Sequence, residues 1–279
     1  MKKLLLAVAT VMAITGCSQN EEFENVEQNA EINISTVVKT TPRATVIDND
    51  NFTEFKVTSF ILKDAFDWST ENPGSAYMSD VKYTGGQTSG WTAESANKYY
   101  WPAGDKKIQF FGYPSDATLV TTDTGYPSIK FAISDVVGEL KDLVVATENM
   151  SKPDGDNLAN LKFGHILTKI NFSYKPADGN YAYTISNIKI TGVKGGNATY
   201  TYANTVEAGS WSGGTDVASG YMYVPEIASS AEANGYYKLD NNDGSLMLLP
   251  QTFTESSAKI EITYKTEKNG VTFFDGKKV

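Results

Sequence analysis

The sequence predicts an all-β protein built of sandwich layers, on three observations. Apolar residues recur with a period of two, helical spacing is scarce, and glycine-containing turn pairs punctuate the chain at short intervals. The pairs are Pro73-Gly74, Gly85-Gly86, Asp178-Gly179, Gly195-Gly196, Gly213-Gly214, Asp243-Gly244, Asn269-Gly270 and Asp275-Gly276. Such dipeptides permit positive φ and tight hairpins. At 279 residues, 41% of them hydrophobic, the chain is long enough for one or two domains with their own cores.

Taken in order, the first element is an export leader, MKKLLLAVATVMAITGC. Lys2 and Lys3 precede an apolar run from Leu4 to Ile14, which is too short for a membrane span of about 20 residues. Ile14-Thr15-Gly16-Cys17 has the form of a lipobox, with cleavage between Gly16 and Cys17. The freed cysteine takes a diacylglycerol on its thiol and an acyl chain on its amine. Two or more chains anchor stably where one anchors weakly. Cys17 is also the sole cysteine, so no disulfide forms and stability must come from packing. The next residues, SQNEEFENVEQNAE, are polar and acidic and read as a tether.

A strand pattern follows where a linker would be expected. In EINISTVVK (Glu31–Lys39), Ile32, Ile34, Thr36 and Val38 alternate with Asn33, Ser35, Val37 and Lys39. Pro42 ends the strand, and Arg43-Ala44 then sits in a polar stretch open to a trypsin-like protease. Two readings stand. One is an ordinary first strand with an exposed arginine in a turn. The other is a removable strand whose loss would bare a hydrophobic groove and unpaired edges, a template for another chain. Burying its three or four aliphatic or β-branched side chains contributes on the order of 5–10 kcal/mol gross.

Further strands are expected at Thr53–Leu62, Tyr77–Tyr83, Lys107–Tyr113, Ser128–Ile133 and Asp142–Thr147. The second half adds Leu161–Tyr174, Tyr183–Val193, Ala198–Tyr202, Tyr221–Val224, Ser245–Leu249, Lys259–Lys265 and Val271–Phe274. Within Lys169–Lys175, Ile170, Phe172 and Tyr174 point one way and the polar residues the other. The polar loop Glu148–Asn157, with Pro153 and Gly155, marks a domain boundary. The expected organisation is a leader (1–16), a lipidated tether with a removable strand (17–43), and two sandwich domains (44–157 and 158–279).

Charge and composition narrow the function. The formal charge of −9 becomes −11 once Lys2 and Lys3 leave with the leader, which argues against nucleic acid and anionic headgroups as partners. His165 is the sole histidine and reads as a packing or hydrogen-bonding residue, since one imidazole cannot build a histidine-rich zinc site. No G-x-S-x-G context supports a serine nucleophile. Asp240-Asn241-Asn242-Asp243-Gly244 lacks calcium-loop spacing, with Gln251 where glutamate is required, and reads as a turn, as does Asp154-Gly155-Asp156. No carboxylate pair for glycoside hydrolysis stands out. The expectation is therefore no catalytic residue, no metal and no cofactor. The aromatic groups Tyr99-Tyr100-Trp101, Tyr221/Tyr223 and Tyr236-Tyr237 read as core or cross-strand packing, with sugar stacking as the alternative.

Several segments, in order, resemble the fimbrillin family of type V pilus lipoproteins of Bacteroidetes, near its minor-fimbrium branch. They are the lipobox at Cys17, Pro42-Arg43-Ala44, YYWPAGDKKIQFFGYP (Tyr99–Pro114) and KDLVVAT (Lys141–Thr147). LKFGHILTKINFSYK (Leu161–Lys175), NIKITGVKGG (Asn187–Gly196) and LMLLPQTF (Leu246–Phe253) continue the match. The resemblance implies two tandem transthyretin-like, Greek-key β-sandwich domains. It implies an outer-membrane lipoprotein precursor, held by lipid at Cys17 and exposed at the surface, that an arginine-specific protease cuts between Arg43 and Ala44. The cut would leave 236 residues and release the strand carrying Ile32, Ile34, Thr36 and Val38. Donor-strand exchange with other fimbrial subunits would then build a fibre that engages host or bacterial surface ligands. At the end, Asp275-Gly276-Lys277-Lys278-Val279 departs from the family's closing W-x-x-G-x-x-Y-x-Y strand. A surface glycan-binding or adhesin lipoprotein that does not polymerise is the alternative.

Overall fold

The structure, a computed structural model, describes residues 30–39, 47–104, 106–227, 231–240, 246–253 and 257–279. Among these the fold is almost wholly β, with twenty strands and one 3-10 turn at Val137–Glu139. The expected all-β class is what is found.

Seven strands form the largest sheet. They lie side by side as β1 (Asn33–Val38), β9 (Leu158–His165), β8 (Val144–Met150), β5 (Lys107–Tyr113), β2 (Glu54–Leu62), β3 (Met78–Gly86) and β4 (Gly90–Ala93). Every pairing in this sheet is antiparallel except the outermost, where β1 runs parallel to β9 from Asn33↔Leu158 to Val38↔Phe163. A second sheet is ordered β14 (Ser210–Asp216), β13 (Lys194–Thr201), β7 (Ser128–Ile133), β6 (Leu119–Val120). A third is ordered β15 (Tyr221–Tyr223), β12 (Ala182–Thr191), β19 (Lys259–Lys268), β20 (Val271–Lys278). Two small sheets complete the fold, β10 (Thr168–Ile170) with β18 (Leu246–Leu248), and β11 (Phe172–Tyr174) with β17 (Tyr237–Asp240) and β16 (Glu226–Ile227).

The central strands of the first sheet are covered on both faces. On one face Phe55, Val57, Ile108, Phe110, Val144 and Phe163 pack with the first strand's aliphatic residues. On the other, Phe60, Phe111, Tyr113 and Val145 meet Ile129, Tyr200 and Tyr202 of the second sheet. Two-sided burial is why KIQFFGY and DLVVAT read as near-continuous apolar runs. Gly112 makes room for the first of these cores, since a Cβ there would lie 2.6 Å from Cζ of Phe163. A third core forms around Ile188, Ile190, Tyr221, Tyr223, Leu239 and Leu246.

Three features differ from expectation. Leu161–Tyr174, read as one strand, is three strands in three sheets. Ile166 and Leu167 are both buried, so alternation breaks there; the Ile166 N–H bond to the Leu143 carbonyl carries the β8–β9 register one residue further before the chain leaves that sheet. Strands β4, β6, β14, β16 and β17 were not anticipated. Pairing also crosses the division expected near residue 158. Strand β9 begins there and joins β8 and β1, while β13 pairs with β7.

Candidate functional site: the first strand and its clasp

The candidate site is the first strand together with the elements that hold it. Period-two alternation places Ile32, Ile34, Thr36 and Val38 on one face, and all four are buried, Val38 at 1% exposure. Val37, on the opposite face, is 39% exposed. The four side chains that the sequence singled out therefore converge on one side of one strand. The three aliphatic ones enter the core that holds Phe163, whose ring lies 4.7 Å from Phe52 and 5.1 Å from Phe55.

The strand's N-terminal end is held by backbone. Ile32 N–H donates to the Tyr99 carbonyl at 2.8 Å, and Trp101 N–H donates to the Ala30 carbonyl at 3.1 Å. Tyr99–Trp101 is in turn fixed by Tyr77, whose hydroxyl donates to the Tyr100 carbonyl (2.8 Å) and accepts from Tyr100 N–H (2.7 Å). Trp101 Nε1–H donates to the Asn157 carbonyl at 3.2 Å, which links this stretch to the start of β9. Lys98 and Glu31 form a surface ion pair at 2.7 Å, worth little in water.

The C-terminal end is held by side chains from distant positions. Val38 N–H donates to Oδ1 of Asn49 at 2.8 Å, and Lys39 N–H donates to the Phe163 carbonyl at 2.9 Å. Nε2 of His165 lies 2.8 Å from the Lys39 carbonyl. Its Nδ1 lies 2.8 Å from Oδ2 of Asp142, and that oxygen also accepts from Ile47 N–H at 2.9 Å. The Asp142 side chain is 1% exposed. The hydrogen bond to Asp142 holds the His165 imidazole above its ordinary pKa, against the burial that pushes it down. On the surface nearby, the Lys39 ammonium pairs with Glu207.

Gly16, Cys17, Arg43 and Ala44 lie outside the described residues, as do residues 241–245 of the acidic turn. Asp156 serves its own turn, with Oδ1 accepting Leu158 N–H at 2.9 Å. Of the seven aromatic residues weighed for sugar stacking, Trp101, Tyr221 and Tyr223 are buried, Tyr99, Tyr100 and Tyr237 are half-buried, and Tyr236 alone is exposed. They form no common exposed platform. Sequence reasoning noticed His165 but missed its partners Asp142 and Lys39, which stand 23 and 126 residues away. Local pattern carries no signal for pairs so distant.

Comparison with known proteins adds findings of three kinds. A family model described as fimbrillin-like matches residues 43–275. The fimbrium subunit Fim1C of Phocaeicola vulgatus is 29% identical over 221 residues, 69% of this chain and 56% of that protein, so this chain spans about half the length of that relative. Among solved structures, a candidate cell adhesion protein from Bacteroides ovatus matches at 16% identity with a TM-score of 0.44, covering 87% of this chain and 84% of that one. One from Bacteroides uniformis matches at 16% identity with a TM-score of 0.43, covering 86% and 79%.

Proposed function

This chain belongs to the fimbrillin-like family, and we propose that it is a structural or adhesive subunit of a surface fimbria. In this reading it is exported as a lipoprotein precursor and anchored in the outer membrane through Cys17. An arginine-specific protease then cuts between Arg43 and Ala44. The first strand leaves, and a strand from another subunit takes its place.

The observation that carries the reading is the placement of β1. It lies at the edge of a sheet, before the arginine in sequence, and fills a core with a continuous line of alternate side chains. With β9 it forms the one parallel pair of that sheet, and parallel ladders are slightly weaker per residue than antiparallel ones. Loss of β1 would bare the aromatic floor around Phe163 and the full edge of β9. Both are templates for an incoming strand, the edge for its backbone and the floor for every second side chain.

The test is limited digestion of the chain from Ser18 onward, which retains every described residue, with an arginine-specific protease. N-terminal sequencing and size analysis follow. The expected result is a single cut giving Ala44 as the new end, followed by detergent-resistant oligomers or fibres. A clean cut that leaves a stable monomer overturns strand exchange between identical subunits. The anchoring step has its own check. Cys17→Ser is expected to abolish lipid labelling and surface display, and unchanged display overturns the lipobox reading.

A further inference from the structure

The Asp142–His165 pair has no part in the strand-exchange scheme, yet it holds both sides of the stretch that contains Arg43. Asp142 accepts from Ile47 N–H on one side, and His165 reaches the Lys39 carbonyl on the other. The chemistry of the partners fixes the protonation state. A backbone carbonyl can only accept. Oδ2 of Asp142 accepts from Ile47 N–H and so presents an acceptor to the ring as well. Both ring nitrogens thus face acceptors at 2.8 Å. Both bonds form together only when the imidazole carries two protons.

We propose that Asp142 and His165 form a protonation-dependent latch on the C-terminal end of β1. It is closed while the imidazole is doubly protonated and open once the proton facing Lys39 is lost. The carboxylate retains the Nδ1 proton because that bond is charge-assisted. Nε2 then presents a lone pair to the Lys39 carbonyl oxygen, and attraction turns to repulsion at the residue that ends the strand. Among the described residues, the charged groups around the ring are few. Asp142 raises its pKa and Lys169 lowers it, while the Lys39 ammonium is engaged by Glu207. Because the folded pKa lies above the ordinary 6.5, the latch contributes fully below about that pH and is lost as pH rises through the folded value. Rising pH loosens β1 and falling pH holds it. The consequence for assembly rests on the strand-exchange reading above, but the latch itself does not.

The sole histidine makes the test direct, since one imidazole signal reports one site. The chain from Ser18 onward is titrated by NMR, and amide exchange of residues 32–39 is followed over the same range, corrected for the intrinsic rise of exchange with pH. The expected result is an imidazole titrating above 6.5, with β1 protection falling roughly tenfold across that titration, the scale of one charge-assisted hydrogen bond. Asp142→Asn should lower the titration and flatten the protection profile. His165→Gln, whose amide can donate to the carbonyl at every pH, should abolish the pH dependence and retain the fold. An imidazole titrating at or below its ordinary value, or β1 protection indifferent to its titration, overturns the latch. If protection follows the titration but the protease-cut chain keeps its first strand at every pH, the latch stands and the strand-exchange reading falls.

Discussion

Arg43→Ala is expected to abolish maturation and assembly while leaving the fold intact. Arg43 is the single arginine among 279 residues. An arginine-specific protease therefore has one bond to cut, and the substitution removes it. The substituted position lies in a polar stretch of the sequence, so the stability change should stay within about 0.5 kcal/mol, the usual scale for substitutions away from a core. Thermal unfolding should be superimposable on wild type, with no cleaved product and no fibre. Arg43→Lys separates charge from identity. Trypsin should still cut the lysine variant at that position, while an arginine-specific enzyme should not. A guanidinium makes a bidentate fork that an ammonium cannot reproduce. Normal fibres from Arg43→Ala would show that the first strand is not released by this cut.

How far the sequence reveals this arrangement differs by element. The first strand was legible because a period of two survives any context in which one face is buried. Its four inward residues were identified without knowledge of what they meet. The run at Leu161 was legible as extended chain but not as three strands. The switch from one sheet to the next is made by two successive buried residues, Ile166 and Leu167, and an apolar pair reads the same in a straight strand as in a corner. Strand β14, SWSGGTD, was missed because Gly213 and Gly214, at φ 82° and 77°, supply no β signal. The backbone needs them there, since the register slips between Gly195 and Ala198 of its partner.

The clasp was the least legible part. That His165 hydrogen-bonds was foreseeable. That it bonds the residue closing the first strand depends on the parallel pairing of β1 with β9, and nothing in either segment specifies direction. Parallel and antiparallel partners both satisfy an alternating face, and the contacts that accompany the parallel direction, Tyr99–Trp101 at one end and Asn49 at the other, are distant in sequence. The division near residue 158 was argued from a polar loop. Exposed loops of that composition also join neighbouring strands within one sheet, as this one joins β8 to β9.

Val38→Asp is expected to bypass the protease. Val38 is 1% exposed in the core that holds Phe163, and no cation of the described residues is seated in that core. An uncompensated carboxylate there costs about 3–5 kcal/mol. A central strand would pass that cost to the whole domain. An edge strand at the start of the chain has a cheaper response, which is to withdraw into water and leave its groove open. The variant should therefore expose β9 without cleavage and form oligomers in the absence of any protease. It should do so even when combined with Arg43→Ala, so the double variant assembles although Arg43→Ala alone does not. Val37→Asp is the matched control. It places the same charge one residue away on the face that is 39% exposed, and should change stability by no more than about 0.5 kcal/mol, with no assembly. Size-exclusion chromatography at several concentrations distinguishes the outcomes. Ordered oligomers from Val38→Asp and its double variant, with monomers from Val37→Asp, are what a replaceable strand requires. A cooperatively unfolded Val38→Asp chain would mean that β1 is integral to the domain, and that its groove is never open to a second subunit.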